Sequence, residues 1–236
     1  MHEEGDLEWG SFSQLVPVCP RGWFELSRLP AADRIEFTQA FWLAKLPFAT
    51  DQAYELEKRV SDFFAEVDEI GIFATQPTEG AFFEVHMIYG LRDDRAFFHG
   101  SPPANPENIV TLSKQFGHVN FPSDYLAFLE IHDGFNKYID AGVIKTRDMA
   151  RVYHQFQEFL SKKLDSTQMM IHPPSIIPFY ECAELNCCQC FYADCYTGEE
   201  ISNLFFSERV IDQNDLGQGM TFPTFSQWLA SYLEEV

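Results

Sequence analysis

Phe121-Pro-Ser-Asp-Tyr-Leu-Ala-Phe-Leu-Glu-Ile-His-Asp-Gly-Phe135 is the stretch of sequence that decides the predicted fold. Pro122 suits the first turn of a helix, where its missing N–H costs nothing. A wide apolar stripe follows at helical spacing, made of Tyr125, Leu126, Phe128, Leu129 and Ile131. Gly134 can adopt the left-handed conformation in which helices commonly end. The stretch is therefore predicted to be a short packing helix, and it offers no nucleophile or phosphate-binding loop.

The composition predicts a folded, strongly acidic protein. Of the 236 residues, 46% are hydrophobic and 16% aromatic, and the formal net charge is −20. This apolar content excludes wholesale disorder, and no apolar run approaches the ~20 residues of a membrane span. The acidity disfavours nucleic acid and favours basic protein partners. Because the N-terminus is acidic and lacks the apolar segment of a secretory signal, the expected location is the cytoplasm.

The Pro-rich stretch Ser101-Pro-Pro-Ala-Asn-Pro106 predicts a boundary between residues 1–104 and a domain at 105–236. In the first region, residues 1–30 are predicted to be irregular, with helices at 33–46 and 50–69. Strands are expected at 70–74, 82–91 and 95–99, and Arg92-Asp93-Asp94 is predicted to join the last two as a hairpin. We expect this region to pack against the domain that follows.

In the second region, the pattern predicts helices at 106–116, 122–132, 146–164 and 224–234. Short strands are predicted at 176–180, 188–194 and 201–206. Helices and strands are mixed without strict alternation, which indicates an α+β fold with a mixed or antiparallel sheet flanked by helices.

The order of motifs after residue 106 resembles the SUKH superfamily, which includes the fungal cell-wall assembly regulators. The matching pieces run in the family's order: Ile109–Gly117, Phe121-Pro-Ser-Asp-Tyr125 through Gly134-Phe135, Ile176–Glu181, Cys190–Asp194, Gly198-Glu199 leading to Phe205-Phe206, and Phe222-Pro-Thr-Phe-Ser-Gln-Trp-Leu229. The chain departs from the family in its His132-Asp133-Gly134 turn, where many members have Asn-Gly, and in a longer insertion between Phe135 and Ile176. Residues 1–100 have no counterpart in the family.

The resemblance implies a non-enzymatic protein-binding module, with no catalytic residue, cofactor or metal. Many bacterial members are immunity proteins that mask toxins, and fungal members scaffold signalling proteins. Acidity suits the immunity role if the toxin domain is basic, because complementary charge speeds association. The expected partner-binding residues lie on an acidic surface: Glu181, Glu184, Asp194, Glu199, Glu200, Asp212 and Asp215. The alternatives are a scaffold that recruits a signalling or cell-envelope enzyme, and a hydrolytic or metal-dependent enzyme.

The enzyme alternative depends on two groups of residues. The first is a cysteine cluster: Cys182, Cys187, Cys188, Cys190 and Cys195. Zinc sites usually bring Cys pairs together on tight turns, whereas the centre of this cluster lies on a predicted strand, so buried reduced thiols are favoured. The second is His132-Asp133, a possible base and its orienting acid. Adjacent side chains cannot easily hydrogen-bond in that way, so Asp133 is interpreted as a turn residue.

Overall fold

The structure is a computed structural model that describes residues 8–46, 53–76, 78, 80–94, 96–117, 119–138, 142–163, 172–182, 187–197, 200–207 and 222–234. Within these ranges no helix combines the length and apolarity that crossing a lipid bilayer requires.

Eight α-helices lie in the described part of the chain. They are α1 (Trp9–Leu15), α2 (Arg21–Ser27), α3 (Ala31–Lys45), α4 (Ala53–Glu66), α5 (Pro106–Gln115), α6 (Ser123–Leu129), α7 (Thr146–Lys163) and α8 (Phe225–Glu234). Local chemistry sets the start of α5, because the side chain of Asn105 accepts a hydrogen bond from the Asn108 N–H at 2.7 Å. Pro106 follows at the first helical position, where proline is tolerated.

The described residues also contain eight strands, which form one sheet in which the spatial order is the order along the chain. They are β1 (Val67–Thr75), β2 (Glu84–Leu91), β3 (Phe97–Gly100), β4 (Phe135–Lys137), β5 (Gly142–Val143), β6 (Ile176–Cys182), β7 (Cys187–Thr197) and β8 (Glu200–Ser207). Every neighbouring pair is antiparallel, so the predicted α+β fold with an antiparallel sheet is confirmed. The sheet continues across the predicted boundary at 104/105, since β3 pairs with β4.

The two faces of the sheet have different neighbours. We call inner the face that carries Tyr89, Phe98, Phe135, Phe179 and Phe191, all fully buried in the main core with residues of α3, α4, α6 and α8. On the opposite, outer side, α7 packs on β6 and β7 through a smaller apolar cluster. Its members are Phe156, Leu160, Ile176 and Cys190. The inner face therefore builds the core, and on the outer side α7 packs on β6 and β7. The first turn of α7 also reaches β2, where Arg147 pairs with Glu84 at 3.6 Å.

The structure corrects three expectations about local structure. Residues 8–30, the described part of the segment predicted to be irregular, contain α1 and α2, which pack Trp9 and Phe12 on Phe24 with ring centroids 5.4 and 5.0 Å apart. The predicted helix at 50–69 ends at Glu66, and β1 begins at the next residue. The predicted helix at 122–132 ends at Leu129, so Gly134 (φ +106°) lies in the turn that leads into β4. Thr50, the predicted first residue of the 50–69 helix, lies outside the described residues.

Candidate functional site

His132 lies in the main core, where a chain of hydrogen bonds holds its imidazole. The Nδ1 atom is 2.8 Å from the carbonyl oxygen of Ser101, which can only accept, so Nδ1 carries the proton. The Nε2 atom then accepts from the Tyr89 hydroxyl at 2.6 Å. The Trp42 indole N–H donates in turn to the Tyr89 oxygen at 3.1 Å. This chain ties α3, β2 and the end of β3 to the turn after α6.

Burial keeps His132 and Tyr89, the two titratable groups of this hydrogen-bond network, neutral. It lowers the pKa of His132 from 6.5 to about 4, and it raises the pKa of Tyr89 well above its usual value. The imidazole also stacks on Phe135 at 5.5 Å between ring centroids. A Cβ on Gly100 would come within 2.3 Å of Nδ1, so only glycine fits beside the ring. Both ring nitrogens are hydrogen-bonded to groups within the core, so the geometry assigns His132 a packing role.

Asp133 binds the start of a helix that lies thirteen residues further along the chain. Its Oδ1 accepts from the Thr146 N–H at 2.6 Å, and its Oδ2 accepts from the Thr146 hydroxyl at 2.8 Å. The interpretation of Asp133 as a local turn residue is corrected accordingly: its carboxylate caps α7. Burial raises its pKa, against the opposing effect of these hydrogen bonds.

Asp124 caps α8 in the same way. Its Oδ2 accepts from the Ser226 N–H at 2.6 Å, although 102 positions separate the two residues. A carboxylate at a helix N-terminus is favourable because it satisfies an N–H group and faces the positive end of the helix dipole. Burial raises the pKa of Asp124 as well. Two buried carboxylates thus fasten α7 and α8 to the segment around α6.

The cysteine cluster lies on β6 and β7, and its described side chains pack as small apolar residues do. Cys182, Cys187 and Cys190 are buried, and Cys188 is half-buried. Burial, followed by the charge of Glu181, raises the pKa of Cys188 to about 12, so its thiol stays protonated at neutral pH. In the part of the chain that the structure describes, no group of three or more His, Cys, Asp or Glu side chains could hold a metal ion. The side chain of Cys195 lies outside that part.

The expected acidic surface is described only in part. Glu181 lies opposite Cys188 near the end of β6, whereas Asp194 lies beside Ser175 at the start of that strand. At ~3.3 Å per residue, about 20 Å of strand separates these positions, so the two carboxylates do not meet. Glu200 begins β8, but its side chain is outside the described residues. The remaining members also lie outside them: Glu184, Glu199, Asp212 and Asp215.

Asp194 belongs to a trio that resembles a hydrolytic triad in composition. The buried Ser175 hydroxyl donates a hydrogen bond to Asp194, and His172 Nδ1 lies 3.0 Å from the Ser175 oxygen. A nucleophilic serine instead gives its proton to the histidine and is exposed to substrate. The trio therefore holds the 3₁₀ turn at Pro173–Ser175 against β7.

Sequence reasoning missed the row of aromatic rings on the outer side of β1–β4. We call this surface the outer face and define it by Phe73, His86, Ile88, Phe97, His99 and Tyr138. Phe73 lies opposite His86 in the sheet, and the next ring centroids are 5.5 Å (His86–His99), 6.3 Å (His99–Phe97) and 5.6 Å (Phe97–Tyr138) apart. Phe73, Phe97 and Tyr138 remain 55%, 39% and 41% exposed.

A signal for this surface was present in the Phe pairs of the sequence. Successive side chains of a strand point to opposite faces, so a Phe pair on a strand must place one ring on each side. Phe98 is fully buried on the inner face, and Phe97 is therefore outside. What the sequence could not supply was the pairing of strands that brings Phe73 and Tyr138 into the same row.

Comparison of the chain with protein-family models, with curated proteins and with solved structures finds no match. The resemblance to SUKH proteins therefore stays a prediction that rests on the order of its motifs.

Proposed function

We propose that this chain is a non-catalytic, cytoplasmic protein-binding module that docks a partner protein on its outer face. The observation that supports the proposal is the row of exposed aromatic rings across β1–β4. In the described residues the start of α7 comes beside this face, where Arg147 pairs with Glu84 at 3.6 Å, and Phe73, Phe97 and Tyr138 stay exposed. Exposed aromatic patches mark sites of protein association, because burying them against a partner releases much apolar surface from water.

The partner is best matched by a basic protein domain. The chain has a net charge of −20, and such a charge speeds the encounter with a basic partner while repelling acidic ones. Aromatic side chains at the centre of an interface commonly carry most of the binding energy. Together with the SUKH resemblance, these features favour an immunity-type role, in which the chain binds and neutralises a basic toxin domain.

Affinity capture from cells that make the protein tests the proposal. Wild-type protein is compared with the double variant Phe73→Glu/Phe97→Glu, which places two charges in the aromatic row. Val110→Glu is the matched control, because Val110 is 51% exposed on α5, a helix that packs on α7 and contributes no residue to the outer face. We expect one partner to be retained by the wild type and the control and lost by the double variant. Equal capture by all three proteins would contradict docking on this face.

The purified partner then tests its predicted chemistry. We expect the association rate to fall as ionic strength rises, because salt screens attraction between opposite charges. A rate that is independent of salt would remove the argument for a basic partner. A toxin domain as partner supports the immunity role, whereas a signalling or cell-envelope enzyme of the same cell would replace it with the scaffold role.

A further inference from the structure

An open pocket lies on the inner side of the sheet, between helices α2 and α3 and strand β2. Its volume is about 580 Å³, within the range of pockets that hold small molecules. Its walls are predominantly apolar, and they include Trp23, Leu26, Phe37, Phe41, Met87 and Ile131. Along β2, Met87 and Tyr89 face this pocket, whereas His86 and Ile88 belong to the outer face. The pocket and the proposed protein-docking surface therefore lie on opposite sides of one strand.

The polar side chains in the pocket wall are already hydrogen-bonded inside the protein. Trp42, Tyr89 and His132 bond to one another and to a backbone carbonyl, as described above. The Thr38 hydroxyl donates to the Arg34 carbonyl at 2.7 Å. A ligand that buried a polar group against these atoms would lose its hydration without a matching gain. The chemistry of the wall thus selects a ligand whose buried part is hydrocarbon.

The rim of the pocket points to the same class of ligand. Phe37 and Phe41 lie one turn apart on α3 and are 62% and 43% exposed. An apolar ligand would cover these rings, and the release of their apolar surface from water would favour binding. Glu25 and Arg28 also line the pocket, and their opposite charges give no preference for a charged head group.

We propose that this pocket binds a small apolar molecule, an aliphatic or aromatic hydrocarbon moiety whose polar end stays at the rim. This site is separate from the protein-docking face, so each proposal can fail without the other.

Glycine positions in the two first helices provide a matched pair of variants. Gly22 lines the pocket, and a Cβ at this position would meet no atom within 4 Å, so there is room for a larger side chain to begin here and Gly22→Leu is expected to add bulk to the pocket wall. Gly10 is also the second residue of a seven-residue helix with open space around it, but it does not line the pocket. Gly10→Leu is therefore the control for a leucine in a short helix.

The test is a fluorescence titration of the full chain with anilinonaphthalene sulfonate, followed by displacement of this probe with decanol. Thermal unfolding first establishes that all three proteins are equally folded. We expect saturable binding of one probe per chain and displacement by decanol. We expect Gly22→Leu to weaken binding at least about tenfold, because its side chain occupies the pocket, and Gly10→Leu to leave it unchanged.

Three results would overturn the proposal: no saturable binding, binding that decanol does not displace, or equal binding by the wild type and Gly22→Leu. Sedimentation velocity tests the remaining alternative, in which a second copy of the protein fills the pocket. If the wild type is a dimer that Gly22→Leu splits into monomers, a second copy of the chain fills the pocket, and the small-molecule proposal is wrong.

Discussion

Among single residues, His132 has the clearest effect on how stability depends on pH. In the unfolded chain its pKa is about 6.5, whereas burial lowers it to about 4 in the folded protein. Between these values the unfolded state binds a proton that the folded state does not, so stability falls as the pH falls. Above pH 6.5 both states are neutral and the contribution is fully present. The buried Asp124 and Asp133 act in the opposite direction, because their pKa values are raised.

The variant His132→Asn isolates this contribution. Urea unfolding of both proteins at pH 7 and at pH 4.5 gives the loss of stability on acidification. We expect this loss to be about 2–3 kcal/mol smaller in the variant, since the carboxylates act equally in both proteins. Parallel pH profiles would show that His132 takes up a proton readily in the folded protein and that its core position is misassigned.

Asp133 is predicted to be the more important of two acids at the start of α7. Replacing it with alanine leaves the N–H and the hydroxyl of the buried Thr146 without their partner. We expect Asp133→Ala to lower the free energy of unfolding by about 2–3 kcal/mol, measured by urea unfolding. Asp148, half-buried in the first turn of the same helix, pairs with Arg151 at 3.2 Å. Asp148→Ala should cost less than about 1 kcal/mol, and equal losses would refute the capping role of Asp133.

Among the structural elements, most of the helices that the sequence predicted are long, although α6 has only seven residues. The helices α3, α5, α7 and α8 span ten or more residues, so their apolar periodicity repeats enough to be recognised. Strands β4 and β5 have three and two residues, too few to show an alternation. Helices α1 and α2 are seven residues long and contain glycine, and the tertiary packing of Trp9 and Phe24 stabilises them.

The docking of α8 on the sheet can be tested through Trp228. Its indole lies 4.9 Å from the ring of Phe179 on β6 and stacks on Tyr232 at 5.3 Å. We expect Trp228→Ala to destabilise the protein by about 3–5 kcal/mol, because a large cavity replaces a buried aromatic side chain. The measurement is the free energy of unfolding in urea. A loss below about 1 kcal/mol would mean that α8 is not docked as the structure describes.

In the whole molecule, one antiparallel sheet presents three surfaces with different surroundings. Its inner face builds the core and contributes to the apolar pocket, α7 covers part of its outer side, and β1–β4 leave the aromatic rings exposed. The sequence indicated the fold class and the burial of most of the cysteines. It did not reveal the outer face, because that surface joins residues from Phe73 to Tyr138 through strand pairing that no local pattern encodes. The caps that Asp124 and Asp133 place on distant helices were hidden for the same reason.

Hydroxyl-radical footprinting of the chain with and without its captured partner tests the central claim most directly, because it reports the exposure of individual aromatic side chains. We expect the partner to protect Phe73, Phe97 and Tyr138 from oxidation. Phe37 and Phe41, at the rim of the pocket on the other side of the sheet, serve as internal controls and should react as before. Protection of these two rings with unchanged oxidation of Phe73, Phe97 and Tyr138 would contradict docking on the outer face.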